Sequence, residues 1–270
     1  MRHIKTRSFV IVFVFICGQV FSAGLAGADL IAAPSANLVT GSGLGGLTAA
    51  GKGCAGPSVL PVRNAGLALA MAQARLREKP SDADALLIRG LAYEALGRQG
   101  RATADLLAAV RIDSGLTGAY LALGRAYGSH ALHARAVRAY SAAIRLDPDS
   151  AEAYRGRADV YDALDSFGRS LADYNQAVAL EPSDACTYND QGITQEAAGL
   201  EDAAAASYSR AIELSPTLQP AIINRAFLLS DMGRYAESLV DFDRAAALSP
   251  ADREILAGRD FVRSRLGQTS

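Results

Sequence analysis

Five prolines set the frame of this chain. Pro80, Pro148, Pro182, Pro216 and Pro250 are separated by multiples of 34 residues, and Ser114 stands in the one vacant slot. A fixed period of that length marks stacked supersecondary units, each too small to bury its own apolar face and dependent on its neighbours. Counting units from Ala83, Thr117, Ala151, Ala185 and Gln219, the same places recur with the same chemistry. The eighth is always small (Gly90, Gly124, Ala158, Gly192, Ala226), as are the twentieth (Ala102, Ala136, Ser170, Ala204, Ser238) and the twenty-seventh (Ala109, Ala143, Ala177, Ala211, Ala245). Bulk recurs at the fourth place and at the twenty-fourth, the latter holding Leu106, Tyr140, Tyr174, Tyr208 and Phe242. Small residues at fixed places let two helices cross closely, and the large ones fill the space that leaves.

Each unit carries two helical patterns. They join near the fifteenth place, where Gly97, Gly199 and Gly233 supply a residue tolerant of positive φ. Ser81/Asp82, Asp149/Ser150 and Ser183/Asp184 precede first helices, where a side-chain oxygen caps open amides. The unit is therefore a pair of antiparallel helices, and no strand is predicted. This spacing resembles the tetratricopeptide repeat family, whose pattern is an aromatic, a Leu-Gly pair, a Tyr, an Ala, an aromatic and a Pro within one period. The resemblance covers 83–252 as five repeats and implies an all-α, right-handed superhelical solenoid. Residues 63–82 then read as an N-terminal packing helix and 253–270 as a C-terminal capping helix that covers the last apolar face.

The segments before the array have a different character. Arg2, Lys5 and Arg7, an apolar run from Phe9 to Cys17, and Ala26-Gly-Ala28 have the three parts of a secretory signal peptide over 1–28, with cleavage after Ala28 first and after Ala23 second. An uncleaved anchor is the competing reading, and Ile16 and Phe15 speak against a lipoprotein site at Cys17. Residues 29–62, rich in Ala, Gly, Ser and Thr, read as a flexible linker. Export implies a periplasmic or secreted protein. Cleavage leaves Cys54 and Cys186, for which two unpaired thiols are expected, because nothing in the sequence brings them to disulfide geometry.

Charge and motifs narrow the function. Lys+Arg 27 against Asp+Glu 28 gives a net charge of -1, and the chain after residue 28 is more acidic still. That balance lacks the basic surplus of a nucleic-acid binder. Gly41–Gly46 fits a dinucleotide-loop spacing but has neither the strand before it nor the helix after it that phosphate binding needs. His130 and His133 lack further metal ligands nearby in sequence and read as solvated turn residues. Asp159 with Asp162, and Glu201 with Asp202, read as solvated helix faces. No catalytic, cofactor or metal site is assembled. At the seventh and twenty-third places Arg89 faces Asp105, Arg157 faces Asp173 and Arg225 faces Asp241, whereas Leu123/Ala139 and Gln191/Ser207 are uncharged, which suggests ion pairs within hairpins.

The resemblance implies a concave groove lined by the first helices. Its expected lining is Leu87, Ile88, Leu91 and Leu121 at the N-terminal end, Arg125, Arg155, Asp159 and Asp190 in the middle, and Asn189, Asn224 and Phe227 toward the C-terminus. The family's carboxylate-clamp places hold Leu, Gly, Asp or Pro here, so that function is not carried over. The expectation is a non-enzymatic adaptor whose groove binds a peptide segment or helix of another envelope protein, with apolar ends and a centre of both charge signs. Reversal of Arg155 to Glu should then weaken capture with little change in melting temperature. The alternative is an accessory subunit of an envelope enzyme or of a secretion or polysaccharide assembly complex.

Overall fold

The computed structural model of the chain describes residues 62–267, without the side chains of Val62 and Arg63. The segment 1–28 read as a signal peptide, residues 29–61 of the expected linker and residues 268–270 lie outside the described residues. Within them the chain is all helix: α1 (Val62–Glu78), α2 (Ala83–Ala95), α3 (Gln99–Ile112), α4 (Thr117–Ser129), α5 (His133–Leu146), α6 (Ala151–Asp162), α7 (Phe167–Leu180), α8 (Ala185–Ala197), α9 (Glu201–Leu214), α10 (Gln219–Asp231), α11 (Tyr235–Leu248) and α12 (Arg253–Arg265). Consecutive helices pack as hairpins, α2 with α3 through α10 with α11, and each hairpin docks on the next. This is the all-α solenoid that the period implies. First helices also touch across repeats, α2 with α4, α4 with α6 and α8 with α10. The side on which neighbours crowd is the inner side of a curved stack, so the first helices form the concave face.

Local chemistry sets the helix ends. Asp82, Ser150, Asp184 and Asp252 accept hydrogen bonds from amides of the first turns of α2, α6, α8 and α12. At the fifteenth place all five repeats take positive φ. Gly97, Gly199 and Gly233 do so at 70°, 75° and 76°, and Ala131 and Asp165 do so at 55° and 51° in the repeats that lack glycine. Geometry, not residue type, is what the turn conserves.

The core is a ladder of bulk against absence. Tyr174, Tyr208, Phe242 and Leu106, all at the twenty-fourth place, are among the largest fully buried side chains. A Cβ added at Gly124 would stand 2.6 Å from the Tyr140 ring, one at Gly156 2.5 Å from it, and one at Gly192 2.6 Å from the Tyr208 ring. Tyr140 is thus held between two glycines, one in its own repeat and one in the next. Gly258 of α12 meets Phe242 in the same way, at 2.5 Å.

Candidate functional site

The seventh place organises the joints between hairpins. Arg89 grips Asp105 at 2.7 and 2.8 Å, Arg157 grips Asp173 at 2.7 and 2.8 Å, and Arg225 grips Asp241 at 2.7 Å twice. These are paired, charge-assisted contacts to buried carboxylates, and donating to the partner acid raises the pKa of Arg89 and of Arg157. Arg157 also donates to Ser141 and Arg225 to Ser209, each on the second helix of the preceding repeat. In the fourth repeat Gln191 substitutes for the cation, donating to Asn175 at 2.8 Å and accepting from Ser207 at 3.2 Å. These residues stitch the stack and do not form a ligand site.

Polar groups run along the concave face. Arg125 on α4 reaches Glu94 on α2 at 3.4 Å and Glu152 on α6 at 2.8 Å, so one guanidinium spans three repeats. Arg155 meets Asp184, the N-cap of α8, at 3.2 Å. Asn224 donates to Asn189 at 3.1 Å, and Asn189 donates to Asp190 at 3.2 Å. These residues fall into three linked groups along the first helices, Glu94–Arg125–Glu152, Arg155–Asp184 and Asp190–Asn189–Asn224, and Asp159 accepts from the buried Tyr174 hydroxyl at 2.5 Å.

The centre of this series is short of positive charge. Asp159 and Asp190 lie close to Arg155, which Asp184 already engages, and Asp162 lies near Asp159. Burial raises the Asp159 carboxyl, with the Tyr174 hydrogen bond and Arg155 opposing, and burial raises Asp162 against its bond from Thr194 at 2.6 Å. Asp190 is pushed up to about 7, first by burial and then by the charge of Asp159. The reading of Asp159 and Asp162 as a solvated face is thereby overturned. Its signal was available, since a buried Tyr hydroxyl needs an acceptor, and the twenty-fourth place supplies Tyr174 to Asp159 and Tyr208 to Glu196.

Two further expectations need correction. Arg155 is not a neutral surface position: its side chain is 17% exposed in the fields of three carboxylates, Asp159, Asp190 and Asp184, so its reversal to Glu would destabilise the fold as well as any complex. Cys186, expected as a free thiol, is disulfide-bonded. Cys54 lies outside the described residues. The turn histidines serve the fold, since the His130 Nδ1 sits 2.8 Å from the Ala126 carbonyl oxygen and the His133 Nδ1 is buried.

The expected apolar lining is half-buried and not freely exposed. Leu87 and Leu91 pack against the core shared by the first two repeats, Leu121 against Tyr140 and Val160, and Phe227 edge-on to Phe242 with ring centroids 5.0 Å apart. Ile88 is likewise half-buried. Packing within and between repeats accounts for much of the apolar chemistry that the sequence assigned to a ligand.

Comparison with known proteins is consistent with this geometry. Residues 62–116 and 121–185 match the tetratricopeptide repeat family. Among solved structures, YrrB, described as a TPR protein with an unusual peptide-binding site, is 19% identical with a TM-score of 0.59, covering 70% of this chain and 97% of its own. The pilF protein of Pseudomonas aeruginosa is 18% identical with a TM-score of 0.62, covering 70% and 87%. MamA is 25% identical with a TM-score of 0.52, covering 57% and 86%. A search of curated protein sequences found no match.

Proposed function

The chain belongs to the tetratricopeptide repeat family of protein-binding scaffolds, and from that premise we infer that it is an exported adaptor whose concave face holds an extended segment or helix of another envelope protein. The observation that supports this reading is the series of polar groups, Glu94–Arg125–Glu152, Arg155–Asp184 and Asp190–Asn189–Asn224, which together span five successive first helices on the inner face. Side chains already ordered by one another lose little freedom when a ligand docks, which favours binding. Because carboxylates outnumber guanidinium groups at the centre, the matching segment presents a lysine or arginine toward Asp159 and Asp190. Export rests on the N-terminal basic, apolar and small-residue pattern, and no helix among the described residues is long and apolar enough to cross a membrane.

The test is positional. A photo-crosslinking side chain placed at Asp84 or Ile193 on the first helices should join one envelope protein in living cells, while the same group at Arg138 or Val240 on second helices should not. Crosslinks from the second helices alone would overturn the reading, as would none from any of the four positions.

A further inference from the structure

Exposed arginines form two rows on the outer helices of the N-terminal half. One row is the twenty-ninth place, with Arg111 on α3, Arg145 on α5 and, one period earlier on α1, Arg77. The other is the nineteenth place, Arg101, Arg135 and Arg169, and Arg138 stands between the rows on α5. Among the described residues no ion pair or side-chain hydrogen bond engages any of these guanidinium groups. Arg101, Arg135 and Arg169 lie over the rings of Tyr93, Tyr127 and Tyr161, at 5.8, 5.8 and 5.7 Å from the centroids. Stacking holds each guanidinium and leaves its N–H edge open to an oxyanion.

The rows are not neutralised from their own helices. α5 carries no carboxylate, and α3 and α7 carry one each, Asp105 and Asp173, both buried and already held by Arg89 and Arg157. The acids nearest the first row, Glu78, Asp113 and Asp147, stand at helix ends, and the last two accept the turn amides of Gly115 and Asp149. In the C-terminal half the same two places turn acidic, with Glu213 and Glu237 paired to Arg210 and Arg234. The positive charge is therefore a patch confined to one half of the array.

The patch has a shape and a second chemistry that choose among anionic partners. Ten residues of helix set the rows about 15 Å apart, so one extended acidic segment would cover a single row. Apolar side chains are set among the cations. Ile112 and Leu146 directly follow Arg111 and Arg145 and are 48% and 43% exposed, and Leu67, 67% exposed, stands at the nineteenth place one period before Arg101. We propose that this outer face docks on a membrane surface carrying anionic phospholipid, with the arginines on headgroup phosphates and the neighbouring apolar side chains at the headgroup–acyl boundary. That boundary accepts cationic and apolar side chains together, whereas an acidic protein surface would leave the apolar ones unmatched. The concave face stays open to a protein partner.

Co-sedimentation of the full chain with vesicles tests the proposal. Binding to phosphatidylglycerol-containing vesicles is expected to be about tenfold or more stronger than to phosphatidylcholine alone. It should weaken by about tenfold or more between about 0.1 M and about 1 M salt, as the screening length falls from about 10 to about 3 Å. Arg111→Glu with Arg138→Glu and Arg145→Glu should lose about tenfold or more on the anionic vesicles. Arg210→Glu with Arg234→Glu and Arg253→Glu makes the same change in net charge in the other half and should lose less than about twofold, with helical circular dichroism kept in both variants. Equal binding to neutral vesicles, or equal losses from the two triple variants, would overturn the proposal. Retention on immobilised polyglutamate without binding to anionic vesicles would also overturn it and assign the patch to an acidic protein. The vesicles carry no protein, so these results stand whether or not a partner is captured at Asp84 or Ile193.

Discussion

Removing the Arg157 guanidinium should cost more than any surface charge, and the structure gives the size. Asp173 is 6% exposed and accepts two hydrogen bonds from Arg157, at 2.7 and 2.8 Å. Arg157→Ala strands that carboxylate, removes the bond to Ser141 at 2.9 Å, and takes the cation from the faces of Tyr154 and Tyr161, 5.8 and 6.0 Å away. Breaking one partner of a buried pair costs roughly 3–5 kcal/mol, and because the Arg157 side chain is 19% exposed the lower end, about 3 kcal/mol, applies. For a domain of this size that is a fall of about 6–12 °C in melting temperature. Asp173→Ala should cost less, about 2 kcal/mol, since Arg157 keeps Ser141 and water. The double variant Arg157→Leu with Asp173→Ala copies Leu123 and Ala139 of the second repeat, both buried there, and should recover about 1–3 kcal/mol relative to the sum of the singles. Arg138→Ala, at an exposed position, should stay within about 0.5 kcal/mol. Thermal and urea unfolding followed by circular dichroism measure all four. Additive single and double effects would refute the pairing, and an Arg138 effect equal to that of Arg157 would refute the argument from burial.

Three other outcomes follow from the geometry. Asp190 has a folded pKa of about 7, above the unfolded carboxylate value of about 4, so its contribution to stability is full below pH 4 and is lost as pH rises through 7. Asp190→Asn should therefore raise the melting temperature at pH 8, by at most about 4 kcal/mol in equivalent stability, with little change at pH 4; equal effects at both would discount the shift. Gly156→Ala places a Cβ 2.5 Å from the Tyr140 ring and should cost about 1–3 kcal/mol, relieved when Tyr140→Leu is added, as Leu106 stands at that place in the first repeat; an unrelieved loss in urea titration would locate the strain elsewhere. Ala131→Gly at φ 55° should stabilise by up to about 1 kcal/mol, and a lower urea midpoint for this variant would contradict the left-handed assignment.

The solenoid was legible because its determinants are periodic. Bulk at the twenty-fourth place and absence of bulk at the eighth are visible in five copies, and the Arg-Asp pairs could be read because charge appears at both places or at neither. The groove was legible only in part. Leu121 and Phe227 occupy groove places in the family's pattern, yet one dimension of sequence does not say how far the second helix of their own repeat covers them, and here Tyr140 and Phe242 do so. Asp159 and Asp162 read from sequence as a wetted face because their spacing on α6 is that of a surface. What decides their surroundings is Tyr174, fifteen residues from Asp159, and Thr194, thirty-two residues from Asp162. The turn at Ala131 and Asp165 was hidden for another reason: its glycine cue is missing although its backbone is not. The bond at Cys186 was illegible, because the spacing of cysteines in a sequence carries no information on their separation in space.

The joint between the seventh place and the twenty-fifth of the preceding repeat has four chemistries across five interfaces, with Ser/Arg occurring twice. Leu107 precedes Leu123, Ser141 precedes Arg157, Asn175 precedes Gln191, Ser209 precedes Arg225, and Asp243 precedes Arg259. Units that look interchangeable by period are therefore keyed to their neighbours, which discourages docking out of order during folding, a characteristic failure of repeat chains. Excising 117–150 would set Leu107 against Arg157 and leave the guanidinium without its hydroxyl, whereas excising 151–218 would set Ser141 against Arg225 and reproduce a native joint. Such a chain can be shortened by two repeats at that point more safely than by one at the other.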